Sequence, residues 1–218
     1  MMCNVNHTNL YYEKSGIGKP LILLHGNGLT HKIFDKAIPL LAEHFTVYSL
    51  DSRGHGQSDA VLEYHYDDLA EDVKCFIDEL ALKSPIVYGF SDGGIIALLL
   101  AVKYPQLLSQ MIISGANTVP KGIRTGWLKL FQCIYAIVKD PKMKMMLREP
   151  NITVDMLQSI EIPTTVLAGS RDMIKRSHTE YIANHIPKST LRILQGEGHG
   201  SYIVDSTKIA NLILDATV

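Results

Sequence analysis

The sequence predicts an α/β fold, with a mainly parallel central sheet covered by helices on both faces. Three observations predict it. Strand-like and helix-like stretches alternate along most of the 218 residues. Residues 20–24 form a continuous apolar run, the mark of a parallel strand buried on both sides. The pentapeptide Gly89-Phe90-Ser91-Asp92-Gly93 lies where a strand-like run passes into a helix-like one.

The elements follow in order. Residues 10–13 read as a short strand ending in the turn Ser15-Gly16-Ile17-Gly18. The buried strand 20–24 comes next, then a helical period over 31–44 and a strand over 46–50. Residues 67–82 form an amphipathic helix with Leu69, Val73, Phe76, Ile77 and Leu80 on one face. A strand at 85–88 leads to a mostly apolar helix over 94–109. Strands at 111–114, 165–168 and 191–194 enclose a helix at 177–185, and a helix over 202–216 closes the chain.

The chain is long enough for one domain with a sizeable core. A net charge of -1 gives no global field toward nucleic acid or membrane, so neither is expected as a partner. The longest apolar run, 95–102, is far short of the roughly 20 residues that span a bilayer. The first ten residues lack the basic and apolar regions of a signal peptide. Cys3, Cys75 and Cys133 are odd in number and widely spaced, which points to a reducing, cytoplasmic compartment, and Cys75 and Cys133, in helical amphipathic runs, read as packed thiols. No metal-binding spacing is present, and no cofactor is expected.

One segment, about 119–150, breaks the alternation. Lys121, Arg124, Lys129, Lys139, Lys142, Lys144 and Arg148 are balanced there only by Asp140 and Glu149. It also holds Trp127 and the Met143, Met145, Met146 cluster. It reads as a helical lid over a site at the strand ends, or as a solvated helical insertion whose methionines fill a small local core.

A serine hydroxyl is a weak nucleophile, so it needs exposure, a base and a group that orients the base. The glycines around Ser91 permit a sharp strand-to-helix turn that lifts its Oγ above the sheet edge, with free helix N–H groups beneath. In open α/β sheets, sites form at the carboxyl ends of strands. Asp172 follows the strand 165–168 in Gly169-Ser170-Arg171-Asp172, and His199 follows the last strand in Gly196-Glu197-Gly198-His199-Gly200. Singly, Asp172 also suits a turn and His199 a surface loop. Together, Ser91, Asp172 and His199 form a nucleophile–acid–base series at three strand ends. Asn27, in the turn His25-Gly26-Asn27-Gly28, and Asp92 offer backbone N–H groups to an oxyanion. One such donor contributes roughly 3–4 kcal/mol to transition-state stabilisation. Asn27, Phe90, Asp92 and Trp127 are the expected substrate contacts, and His25 a loop-bracing residue.

These motifs, with Asp51-Ser52-Arg53-Gly54-His55-Gly56-Gln57-Ser58 after the fourth strand, resemble the α/β-hydrolase superfamily, in the branch with a helical cap. The resemblance covers the chain outside 119–150. It implies Ser91 as nucleophile, Asp172 as acid and His199 as base, with Asp51 and Arg53 bracing a loop. The implied enzyme is a serine hydrolase of small carboxylic esters, a monomer or homodimer with a small acyl substrate. A serine at the turn argues against epoxide hydrolysis and dehalogenation, which use aspartate there in this fold. Thioester, amide or C–C hydrolysis and acyl transfer use the same triad. Two features depart from the pattern: the cap is short, and Asp92 stands where many relatives are apolar. Its turn is similar to that of relatives hydrolysing amino-acid esters. Other readings are an anionic substrate held by the basic cap, and a hydrolase-fold ligand sensor with little turnover.

Overall fold

The computed structural model describes residues 1–217. Eight strands form one sheet: β1 (Met2–Val5), β2 (Thr8–Ser15), β3 (Lys19–Leu24), β4 (Phe45–Leu50), β5 (Ile86–Phe90), β6 (Gln110–Ser114), β7 (Thr164–Gly169) and β8 (Ser189–Leu194). Their spatial order is β1-β2-β4-β3-β5-β6-β7-β8. The first two pairings are antiparallel, and the rest of the sheet is parallel.

The helices are α1 (Ile38–Leu41), α2 (Tyr66–Glu79), α3 (Asp92–Lys103), α4 (Thr125–Val138), α5 (Pro141–Arg148), α6 (Val154–Gln158), α7 (Arg176–His185) and α8 (Lys208–Thr217). α1 and α8 cover one face of the sheet and α2, α3 and α7 the other, because the strand pleat feeds two cores. On β3, Ile22 and Leu24 join α2 and α3 on one face, while Leu21 and Leu23 join α1 and α8 on the other. An uninterrupted apolar run is therefore what this strand needs.

Four elements differ from the sequence reading, the first being the helix expected over 94–109, which ends at Lys103 just before Pro105. Residues 2–5 pair with β2 through a two-residue turn at Asn6 and His7, both at positive φ (43° and 63°). That is the backbone of a tight hairpin, but Asn-His lacks the glycine that announces one. The helix expected over 31–44 is instead a 3-10 turn, His31–Phe34, and the short α1. Pro39 lies at the start of α1 and cannot extend a helix arriving from the N-terminal side. The closing helix begins at Lys208, not at 202, and Tyr202 and Ile203 are buried in turns before it.

The loop after β4 is held as the Asp51–Ser58 signature suggests. Asp51 accepts from the His31 and Gln57 amides at 2.8 and 2.9 Å and from His31 Nδ1 at 2.8 Å. Burial would raise its pKa, but these donors prevail and lower it. Arg53 reaches α2 and pairs with Asp72 through both carboxylate oxygens, Nε to Oδ2 at 2.5 Å. Both side chains are buried. Replacing Arg53 with Met leaves the buried Asp72 carboxyl without a cation, with the Asn6 amide as its remaining side-chain donor. The expected loss is about 3–5 kcal/mol, read as a lower midpoint in urea unfolding. A midpoint equal to wild type would show that the pair contributes nothing.

Candidate active site

The site is built where β5 ends. Ser91 sits between β5 and α3 with φ 53° and ψ −113°, outside the regions open to ordinary L-residues. Three hydrogen bonds hold it there. Its N–H donates to the Ser114 carbonyl at 2.8 Å, and its carbonyl accepts from Gly94 and Ile95 at 2.9 and 3.1 Å. The turn also lies hard against β3. A Cβ on Gly93 would stand 2.3 Å from the Leu24 carbonyl oxygen, and one on Gly89 would stand 2.2 Å from that of Gly93. Both positions admit only glycine.

The structure brings Ser91, Asp172 and His199 together from three strand ends. Asp172, in the loop after β7, accepts from the Ile174 amide at 2.9 Å and from His199 Nδ1 at 2.7 Å, all through Oδ1. His199 Nε2 lies 3.1 Å from Ser91 Oγ. A proton on Nδ1 leaves the Nε2 lone pair facing the serine hydroxyl. Asp172 is buried, and the His199 side chain is 14% exposed.

Two backbone donors in the adjoining turns are unused. Asp92 N–H is the first of α3 and has no acceptor among the described residues; nor has Asn27 N–H in the loop after β3. The neighbouring Gly28 N–H is already used, donating to His55 Nε2 at 3.1 Å. His25 is confined by structure: its Nδ1 donates to the Gly26 carbonyl at 2.8 Å and its Nε2 accepts from the Ser52 amide at 3.0 Å. Burial lowers its pKa to about 4, so the ring is neutral.

The expected substrate contacts divide. Asp92 is buried beside the site, with Oδ1 accepting from Tyr66 Oη–H at 2.8 Å. Its Oδ2 is buried without a hydrogen-bond partner. Burial pushes this carboxyl up to about 6, against the pull of Tyr66, the nearby Asn27 amide and His199. The Asn27 side chain bears on Asp92 without a well-formed hydrogen bond to it, since its amide donates to the Lys142 carbonyl at 3.4 Å. Phe90 is a correction. It points into the core with Tyr88 and Tyr202, and its ring backs His199 at 4.9 Å. Strand alternation turns it away from an open face. Trp127 lies on α4, 45% exposed, with Phe131 as its one aromatic neighbour among the described residues.

Three residues were not foreseen. Gly115, just past β6 at φ 61°, lies under His199; a Cβ there would be 2.7 Å from the ring carbon Cε1. A glycine after a strand end was the available signal. Tyr66 starts α2 and carried none. Glu149 accepts from the Tyr66 amide at 3.1 Å and pairs with His65 at 2.6 Å, tying the end of α5 to the start of α2.

The match to known proteins agrees with this architecture. Residues 19–136 match the model of the alpha/beta hydrolase fold family. The chain belongs to that family and is an enzyme of the hydrolase type. It is 28% identical to the AB hydrolase superfamily protein YisY of Bacillus subtilis, over 95% of this chain and 94% of that protein. That alignment spans 254 positions, more than this chain has residues, so the relative carries insertions that this chain lacks. Mouse serine hydrolase BPHL is 28% identical, over 97% of this chain and 84% of its own length. Among solved structures, a bromoperoxidase from Bacillus anthracis superposes with a TM-score of 0.87 at 19% identity, over 100% and 99% of the two chains. At that identity it reports the fold alone.

Two predictions follow from the geometry. Gly115→Ala strains the backbone and displaces His199, and a shift of about 1 Å costs roughly 100-fold in reactivity. Labelling of Ser91 by a fluorophosphonate should slow by that factor while circular dichroism still shows a folded protein; an unchanged rate would contradict the contact. For Asp92, the folded state binds the proton more tightly than the unfolded state, whose pKa is near 3.8. Its contribution to stability is therefore lost as pH rises from about 4 to about 6. Melting temperatures of Asp92→Asn and wild type should diverge across that window, with the Asn variant gaining. Parallel curves would mean the carboxyl is not perturbed.

Proposed function

We propose that the protein is a serine hydrolase that cleaves a small carboxylic ester through an acyl-enzyme on Ser91. One observation carries this reading. Asp172, His199 and Ser91 stand in line at 2.7 and 3.1 Å beside a helix N-terminus with a free amide. His199 Nε2 takes the Ser91 proton as Oγ attacks the ester carbonyl. The amides of Asn27 and Asp92 receive the oxyanion. As the tetrahedral adduct collapses, His199 returns the proton to the alcohol, which leaves. Water then repeats the path on the acyl-enzyme and releases the acid. Asp172 holds the imidazole in the required tautomer and stabilises its cationic form. No cofactor enters this sequence.

The segment 119–150 acts as a short lid. In support, the Lys142 carbonyl on α5 receives Asn27, and Lys142 Nζ donates to the Gly54 carbonyl at 3.1 Å. The name of the mouse relative, a serine hydrolase, is in keeping with the nucleophile. Cys133 is exposed on α4 and not the packed thiol expected, but Cys3, Cys75 and Cys133 are all unpaired, which suits a reducing, cytoplasmic setting. Thioester, amide and C–C hydrolysis or acyl transfer would share the intermediate and differ in the leaving group or acceptor.

A second reading concerns the acyl group. Asp92 Oδ2 is a buried acceptor without a partner, one residue from the nucleophile, which favours a substrate bearing an ammonium group, such as an amino-acid ester.

Hydrolysis of a panel of chromogenic esters, from acetyl to octanoyl with aminoacyl members, tests both readings. Ser91→Ala should abolish turnover, and Asp172→Asn should lower kcat by about 10⁴-fold. Turnover that survives in Ser91→Ala would overturn the mechanism. A preference for aminoacyl over neutral esters of equal size should vanish in Asp92→Asn; if wild type has no such preference, the second reading fails.

A further inference from the structure

α4 differs from the helices that cover the sheet, because none of its 14 residues is buried. Leu128, Phe131 and Tyr135 are half-buried along its inner side. Trp127, Leu130, Ile134, Ile137 and Val138 lie within about 100° of arc on a second face at 3.6 residues per turn. That face is open to solvent, with Ile137 83% and Val138 63% exposed. A contiguous apolar stripe of this kind is a binding surface.

Charge selects the occupant. The stripe is bracketed by exposed Lys121 and Arg124 at one end and exposed Lys139 at the other. No acidic residue lies between Arg124 and Asp140. The two acids of the segment are already engaged: Asp140 caps α5 through the Lys142 and Met143 amides, and Glu149 holds His65 and Tyr66. A second copy of the chain would set like charges face to face. A helix about 21 Å long also offers well under the roughly 800 Å² per partner of a stable protein interface. Lipid has no such requirement. Its acyl region takes the apolar stripe, and its phosphates take Lys and Arg heads carried on long apolar stems.

We propose that α4 is an interfacial helix that seats the protein on an anionic lipid surface, with its Trp127–Val138 stripe in the headgroup–acyl boundary and Lys121, Arg124 and Lys139 against lipid phosphates. This departs from the expectation of no membrane partner. No helix among the described residues is long and apolar enough to cross a membrane, but lying on a surface requires an apolar face, not an apolar run. The chemistry at Ser91 is not involved, so failure of one does not touch the other.

Trp127 is the sole tryptophan and sits on the proposed contact. Its fluorescence should shift to the blue with phosphatidylcholine–phosphatidylglycerol vesicles, the protein should co-sediment with them, and added salt should reverse both. Leu130→Asp and Ile137→Asp, at exposed positions, should each weaken partitioning by about tenfold or more, with unchanged melting curves and unchanged fluorophosphonate labelling of Ser91. Absence of both shift and co-sedimentation would overturn the proposal. Equal partitioning into pure phosphatidylcholine would overturn its anionic selectivity. A dimer by sedimentation equilibrium that Ile137→Asp dissociates would assign the face to a second copy instead.

Discussion

The contact between Gly93 and the end of β3 is the constraint on which the site depends. Gly93 packs against the Leu24 carbonyl at a distance no side chain permits, and its N–H donates to the His25 carbonyl at 3.1 Å. The start of α3 is thereby fixed to the loop that carries Asn27. Ser91 is held in its unfavourable backbone region because both sides of the turn are anchored, to β3 through Gly93 and to β6 through the Ser114 carbonyl.

The two carboxylates near Ser91 show how environment divides roles between identical groups. Asp172 is buried, but an amide and an imidazole both donate to its Oδ1. Asp92 is buried too, and each keeps one buried oxygen without a hydrogen-bond partner. Asp92 receives a single hydroxyl on its other oxygen, and burial raises its pKa to about 6. The imidazole bond suits Asp172 to orienting His199, whereas Asp92 meets only the Tyr66 hydroxyl, one residue from the proposed nucleophile.

The chain is unevenly built. The sheet and its covering helices are packed on both faces, and buried ions such as Arg53 and Asp72 are paired. The segment between β6 and β7 is attached more lightly. The isolated bridge Ile123↔Ile174 and the Arg124 N–H to Met173 carbonyl bond tie its entry to the loop bearing Asp172. Glu149 ties its far end to α2. Between these anchors α4 carries its apolar stripe outward.

Much of this was legible in the residues. A buried parallel strand must be apolar on both faces, so 20–24 announced β3. A strand-to-helix turn at a serine needs flanking glycines, so 89–93 announced the elbow. Strand ends followed by Gly-rich loops located Asp172 and His199. These are local rules, each written within a few residues. What only the tertiary structure decided depends on residues distant in sequence. Gly115 lies under His199 because β6 and β8 flank β7, and Tyr66 meets Asp92 because α2 packs against α3. The pleat of β5 turned Phe90 into the core. The residues showed 119–150 only as a basic helical segment that breaks the alternation. Whether its apolar side chains lie inside or outside was set by what packs around them, and packing is a property of the whole fold.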